Sequence, residues 1–293
     1  MSTLLERLAN KIMPRILPRS AVLSRQIRSE RRELAATARQ TSDPSPLRGE
    51  RETQVEQWLN ADLGTEWAQM QQILDPIRFG TRSGAVNPGD QRALYSIVRA
   101  LRPRSILEVG THVAASTGIM ALALRKNGPH PSGAAPRLVT VDLLDVNDSQ
   151  VGAWKRIGCD QSPTQFMRSI KVEDIVNFVT RPATDYLRNG KEKFDLIFLD
   201  GDHSASGVYQ EIPAAVRLLN PNGVILLHDY FPGLQPLWSD GAVVPGVQLA
   251  VERLQAEDYP VTAKPLGALP WPTKQGSNVS SLAVLCRREP LAS

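Results

Sequence analysis

The chain is poor in cysteine, in aromatic residues and in long apolar runs, and each shortage removes a class of protein. Cys159 and Cys286 are its two cysteines in 293 residues, too few and too far apart for a disulfide framework or a zinc site. Their scarcity fits a reducing cytoplasm, which is the expected location. No apolar run approaches the roughly 18 residues of a membrane-spanning helix, so no transmembrane segment is expected. Aromatics make up 5% of the chain, and no basic stretch is interleaved with them as base stacking would need, which argues against nucleic acid. The body also lacks a charge excess. The formal net charge of +4 sits in the first 60 residues, which hold eleven Lys/Arg against seven Asp/Glu and leave 23 of each sign for the remainder. The basic balance describes a tail. What is left, 42% apolar and 22% charged, is ordinary globular composition.

Residues 1–52 read as a basic N-terminal extension and linker. Leu4, Leu5, Leu8, Ile12 and Ile16 recur at three- and four-residue steps, one face of a helix whose reach Pro14 and Pro18 limit. Three roles stay open for residues 1–40: contact with a protein partner, peripheral contact with a membrane surface, or organelle targeting. Thr41–Arg51 is a polar, Pro-containing linker. Residues 53–84 are expected to form a helical cap. Val55, Trp58, Leu59, Leu63, Trp67, Met70, Leu74 and Ile77 have the spacing of one helix of about six turns, packing two tryptophans on the body.

Residues 85–293 form the main domain. Apolar segments alternate with helical ones: SILEVG (105–110), RLVTVD (137–142), IVNFVT (175–180), KFDLIFLD (193–200) and GVILLHD (223–229). Helices are expected at 91–101, 116–126 and 208–219, with a long helical stretch between the second and third strands. Short strands apolar throughout, separated by helices, imply a parallel sheet covered on both faces. PVTAKPL (260–266) and SSLAVLCRR (280–288) have no helix between them and should pair antiparallel. The expected fold is therefore α/β: a doubly wound, mostly parallel seven-stranded sheet with an antiparallel C-terminal hairpin and a helical N-terminal extension.

In such sheets ligands sit outside the carboxyl ends of the strands, near the point where strand order reverses. Three of the four histidines, His112, His203 and His228, fall on those ends, while His130 lies in a Pro/Gly loop and should be solvated. The turn Glu108–Ser116 has Gly110 to let the backbone bend toward a ligand and a helix N-terminus to receive a carboxylate. It lacks the three glycines of a dinucleotide turn, and Glu108 would repel a pyrophosphate. A ligand with both an ammonium and a carboxylate suits it, although such an acid also serves as a core hydrogen-bond acceptor. Asp142, closing the second strand, is placed either for the two hydroxyls of a ribose or for a helix N-cap. Asp200-Gly-Asp-His203-Ser and His228-Asp229-Tyr end adjacent strands. Carboxylates and imidazoles converging there need compensation, most simply a metal ion, unless they form a hydrogen-bonded rim.

SILEVGTHVAAST, RLVTVD, FDLIFLDGDHSASGVYQEI and LNPNGVILLHDYF together resemble the class I S-adenosylmethionine-dependent methyltransferases. The resemblance is to the small-molecule O-methyltransferases related to the catechol, caffeoyl-CoA and macrolide-sugar enzymes. It spans roughly residues 85–288; residues 1–80 match no family pattern. It implies that Glu108, Gly110, Thr111 and Ser116 hold the methionine end of S-adenosylmethionine and that Asp142 binds the ribose. It also implies that Asp200, His228 and Asp229 hold a divalent cation, magnesium or manganese, and that His203 is the general base. Ala114 replaces the usual second glycine, and His228 stands where many members carry an acid, which weakens the case for magnesium. The implied activity is methyl transfer to a hydroxyl of a small acceptor, a sugar, phenol or natural product. The alternatives are metal-independent N- or O-methyl transfer, or cofactor binding without catalysis. Trp238 and Trp271, in the loops 232–245 and 266–276, are candidates for lining the acceptor pocket. A homo-oligomer stays open.

Overall fold

A computed structural model describes residues 19–39, 42–49, 54–59, 63–74, 85–129, 133 and 135–288. Its centre is one seven-stranded sheet: β1 (Ser105–Val109), β2 (Arg137–Asp142), β3 (Val176–Thr180), β4 (Phe194–Leu199), β5 (Leu219–Leu227), β6 (Val261–Pro265) and β7 (Ala283–Arg287). The order across it is β3-β2-β1-β4-β5-β7-β6. The pairs among β1 to β5 are parallel, and β7 runs antiparallel to both β5 and β6. Both the fold and the terminal hairpin expected from the sequence are present. Alternation along β1 explains the two-sided core. Ile106 joins the apolar cluster on one face, with Leu138, Phe198 and Leu226. Leu107 and Val109 join the other, with Ile197 and Leu227. Each such side chain, fully buried, stabilises the fold by about 1.5–3 kcal/mol.

The helices that flank the sheet are α1 (Arg19–Ala35), α2 (Val55–Leu59), α3 (Gly64–Leu74), α4 (Pro88–Leu101), α5 (Ala115–Asn127), α6 (Ala153–Arg156), α7 (Pro163–Ser169), α8 (Ala183–Asn189), α9 (Ala205–Arg217) and α10 (Gly246–Ala256). The single six-turn helix expected over residues 55–77 is instead the separate α2 and α3. Leu63, between them, is not helical, and Gly64, where α3 begins, is a weak helix former; Ile77 lies outside the described residues. Trp58 and Trp67 are buried as expected. The long helical stretch expected after β2 is also broken, into α6 and α7. Asp145 accepts from the Asn147 amide, and Asp148 from those of Gln150 and Val151, local turns that compete with helix.

The helical face read at Leu4–Ile16 and the loop holding His130 both lie outside the described residues. Helix α1 packs against α9 and α10. Its Glu30 accepts a hydrogen bond from the Ala205 amide at the start of α9 (2.6 Å). Farther on, the Arg287 amide donates to the Arg48 carbonyl (2.7 Å), and Gly49 bridges Arg287 in parallel. No helix among the described residues is long and apolar enough to cross a membrane.

Candidate active site

The strand order reverses between β1 and β4, and a cavity of about 550 Å³ opens there, at the carboxyl ends. The main-chain ladder carries on past the strands and fixes its rim. The Gly110 amide donates to the Val141 carbonyl, that of Asp200 to Val109, and that of His228 to Leu199. Gly110 has φ +95°. A Cβ there would lie 2.2 Å from the Asp200 carbonyl oxygen, so the closeness of the β1 and β4 turns itself demands glycine. His112 and Ala114 follow in the left-handed region, at φ +49° and +62°.

Asp142 ties this turn down. Its Oδ2 accepts from the amides of Thr111 (3.1 Å) and His112 (2.9 Å), and its Oδ1 from that of Leu144 (3.1 Å). Gly110, Thr111, Ser116 and Asp142 all line the cavity. Glu108 does not: it is fully buried beneath the turn. Ser116 donates to its Oε1 (2.5 Å), Thr140 to its Oε2 (2.7 Å), and Thr117 to the same Oε2. Thr111 extends the chain by donating to Thr140 Oγ1 (2.6 Å). Burial pushes the Glu108 carboxyl up to about 7 against the pull of these donors. The structure thus brings Glu108 close to the cavity, but as the acceptor that holds the first turn of α5.

The second cluster sits at the tips of β4 and β5. Asp200 and His203 line the cavity; His228 and Asp229 stand behind them. His203 Nε2 lies 3.8 Å from Asp200 Oδ1, and its Nδ1 3.8 Å from Asp229 Oδ2. His228 donates from Nδ1 to Asp200 Oδ1 (2.7 Å) and is 3.6 Å from Asp229 Oδ1. Its Nε2 faces Asp90 Oδ2 at 3.7 Å, beyond hydrogen-bond reach. Burial depresses the His228 imidazole, but the carboxylates of Asp200 and Asp229 outweigh it and raise it well above the ordinary histidine value. His228 is therefore a buried cation among three carboxylates.

That arrangement does not suit the expected metal set. One nitrogen of His228 is already spent on Asp200 and the other is enclosed against Asp90, so neither is directed at an open position. Among the described residues no three His, Cys, Asp or Glu side chains are arranged to hold a metal.

Two buried acids escaped the sequence reading. Asp90, 0% exposed, stands in the first turn of α4. There Asn87 caps the Gly89 and Asp90 amides and donates to Asp90 Oδ2 (2.7 Å). In sequence it reads only as part of a helix start. Glu211 lines the cavity from the middle of α9, where nothing in the sequence sets it apart from a surface acid. His112, left without a role, also lines the cavity; burial lowers its pKa against the opposing pull of Asp142 and Asp200. The tryptophans of the two loops are packing anchors and are absent from this cavity's lining. Trp238 donates to the Val279 carbonyl (3.1 Å) and stacks edge-on with Phe231, and Trp271 donates to the Gly89 carbonyl (2.9 Å).

Residues 107–230 match the family described as "Methyltransferase domain". No curated protein matches the chain. Among solved structures it is similar to the O-methyltransferase TomG from Streptomyces achromogenes, in complex with SAM, at 22% identity and a TM-score of 0.50, covering 81% of this chain and 100% of that one. It is similar to cofactor-bound Rv0187 from MTB at 22% identity and a TM-score of 0.51, covering 86% and 100%. An O-methyltransferase from Bacillus cereus, in complex with SAH, gives 20% identity and a TM-score of 0.50, covering 80% and 100%. At such identities the likeness speaks for the fold, and the matched domain speaks for the chemistry. Residues 107–230 thus carry the match to a methyltransferase domain, set in a chain that shares the fold of these structures.

Proposed function

We propose that the chain transfers the methyl group of S-adenosylmethionine to a hydroxyl of a small molecule, with His203 as general base and without a resident divalent cation. The observation that carries this reading is the placement of His203, on the cavity wall with its two ring nitrogens facing Asp200 and Asp229. The cofactor supplies a methyl carbon on a positively charged sulfur that leaves as a neutral thioether. The protein's task is then to align an acceptor oxygen behind that carbon and to take its proton.

The N-terminus of α5 would offer amides and positive potential to the cofactor's carboxylate, and Asp142 would face the ribose. His203 removes the hydroxyl proton as the O–C bond forms, and Asp200 and Asp229 stabilise the imidazolium. Behind them His228 carries the positive charge that keeps these carboxylates from repelling one another, the service a metal ion would otherwise give. The neutral body charge and the size of the cavity favour a small acceptor over nucleic acid.

The experiment is single-turnover methyl transfer by wild type and His203→Gln, with and without EDTA. His203→Gln should lower the rate by about 10²–10⁴ and leave the affinity for S-adenosylhomocysteine within about twofold. EDTA should leave the wild-type rate unchanged. An unimpaired His203→Gln removes the base, and activity lost in EDTA and restored by manganese restores the metal.

A further inference from the structure

Glu211 occupies a position that packing alone would give to an aliphatic residue. It lies on the inner face of α9 with Val208, Ile212 and Ala215, all buried. It is 1% exposed. It makes no hydrogen bond to any described residue; its surroundings are burial, which pushes the carboxyl up to about 8, and the nearby carboxylate of Asp202. Such a group is costly to fold around unless a partner arrives, and Glu211 faces the cavity. The wall one turn earlier is thinned by Gly207, where a Cβ would meet Asp202 Oδ2 at 2.2 Å. Asp202 thereby lies down on the helix.

The cavity's other landmarks say what faces Glu211. The Gly110 turn and Ser116 mark one end, suited to the carboxylate of an amino acid, and Asp142 at the end of β2 marks the ribose. Leu143, the Pro182–Thr184 start of α8, Asp202 and Glu211 also line the cavity. A buried carboxyl with no hydrogen-bond partner among the described residues, on a wall shared with Pro182 and Ala183, fits the edge of a flat heterocycle. We propose that Glu211 reads the adenine base of the cofactor, its carboxyl accepting a hydrogen bond from the 6-amino group. A carboxyl that keeps its proton also donates to the ring nitrogen beside that amine, the paired pattern that amide side chains use on adenine. This rests on the cofactor orientation proposed above, with the ribose at Asp142.

The test is calorimetric titration of the full chain with S-adenosylhomocysteine and with its 6-desamino analogue, in which purine replaces adenine. Neither ligand is turned over, so binding alone is read. Wild type should prefer the adenine ligand by about tenfold. Glu211→Leu should bind both alike, and Glu211→Gln, whose amide can both accept and donate, should keep a preference. Equal wild-type affinities overturn the assignment without any variant being needed, so a Glu211→Leu chain that fails to fold does not shelter it. A preference that survives in Glu211→Leu, or vanishes in Glu211→Gln, also overturns it. If wild type binds neither ligand, the cofactor reading itself falls and takes the proposal with it.

Discussion

The two halves of the site are built in opposite ways. Around the β1 turn every carboxylate is satisfied at short range: Asp142 by three amides, Glu108 by three hydroxyls. Around the β4 and β5 tips the separations are mostly 3.6–3.8 Å, and His228 Nε2 and Asp90 Oδ1 are buried without a hydrogen-bond partner among the described residues. A closed network holds one geometry. An array of charges just beyond hydrogen-bond reach is held by long-range attraction and can accept a proton or a hydroxyl between its members. In the proposed function the first half binds and the second reacts.

The contrast breaks hardest at Gly110, where both halves meet. Gly110→Ala forces a Cβ into the Asp200 carbonyl in a backbone conformation unfavourable to alanine. It should weaken S-adenosylhomocysteine binding by about a hundredfold or more, as read by calorimetry on the folded variant. Gly246→Ala attacks the reacting half alone. The first residue of α10 packs so closely on the His203–Ala205 bend that a Cβ would sit 1.9 Å from the His203 carbonyl oxygen. Turnover should fall by about tenfold while S-adenosylhomocysteine affinity is kept; equal losses in both would erase the distinction between the halves.

The smallest effect sharpens the comparison through pH. Glu108, raised from 4.5 to about 7, and Glu211, raised to about 8, hold protons in the folded chain that the unfolded chain has already released. Stability is then greatest below about pH 4.5 as far as these two groups decide it, and it declines as pH rises through 7 and 8. Urea unfolding between pH 5 and 9 should show that decline, and Glu108→Gln should flatten its lower part. An unchanged slope would mean that the Glu108 network holds a carboxylate throughout.

The strands were legible because parallel strands buried on both faces are continuous apolar runs, and their ends then place Gly110, Asp142, Asp200 and His203 around one opening. Legibility stopped where side-chain direction decides. Glu108 ends the same strand as Gly110, yet it points down into the core. His228 sits beside Asp229, yet its far nitrogen faces Asp90 from a helix 138 residues earlier. Glu211 resembles any helical acid until the cavity is seen to reach it.

The sequence by itself determined the sheet, the hairpin and the edge at which the cavity opens, because strand period and burial are local properties of neighbouring residues. Only the tertiary structure decided which acids are spoken for, which imidazole carries a charge, and which carboxyl is left waiting. Those depend on distances between segments far apart in the chain and on how much water remains between them.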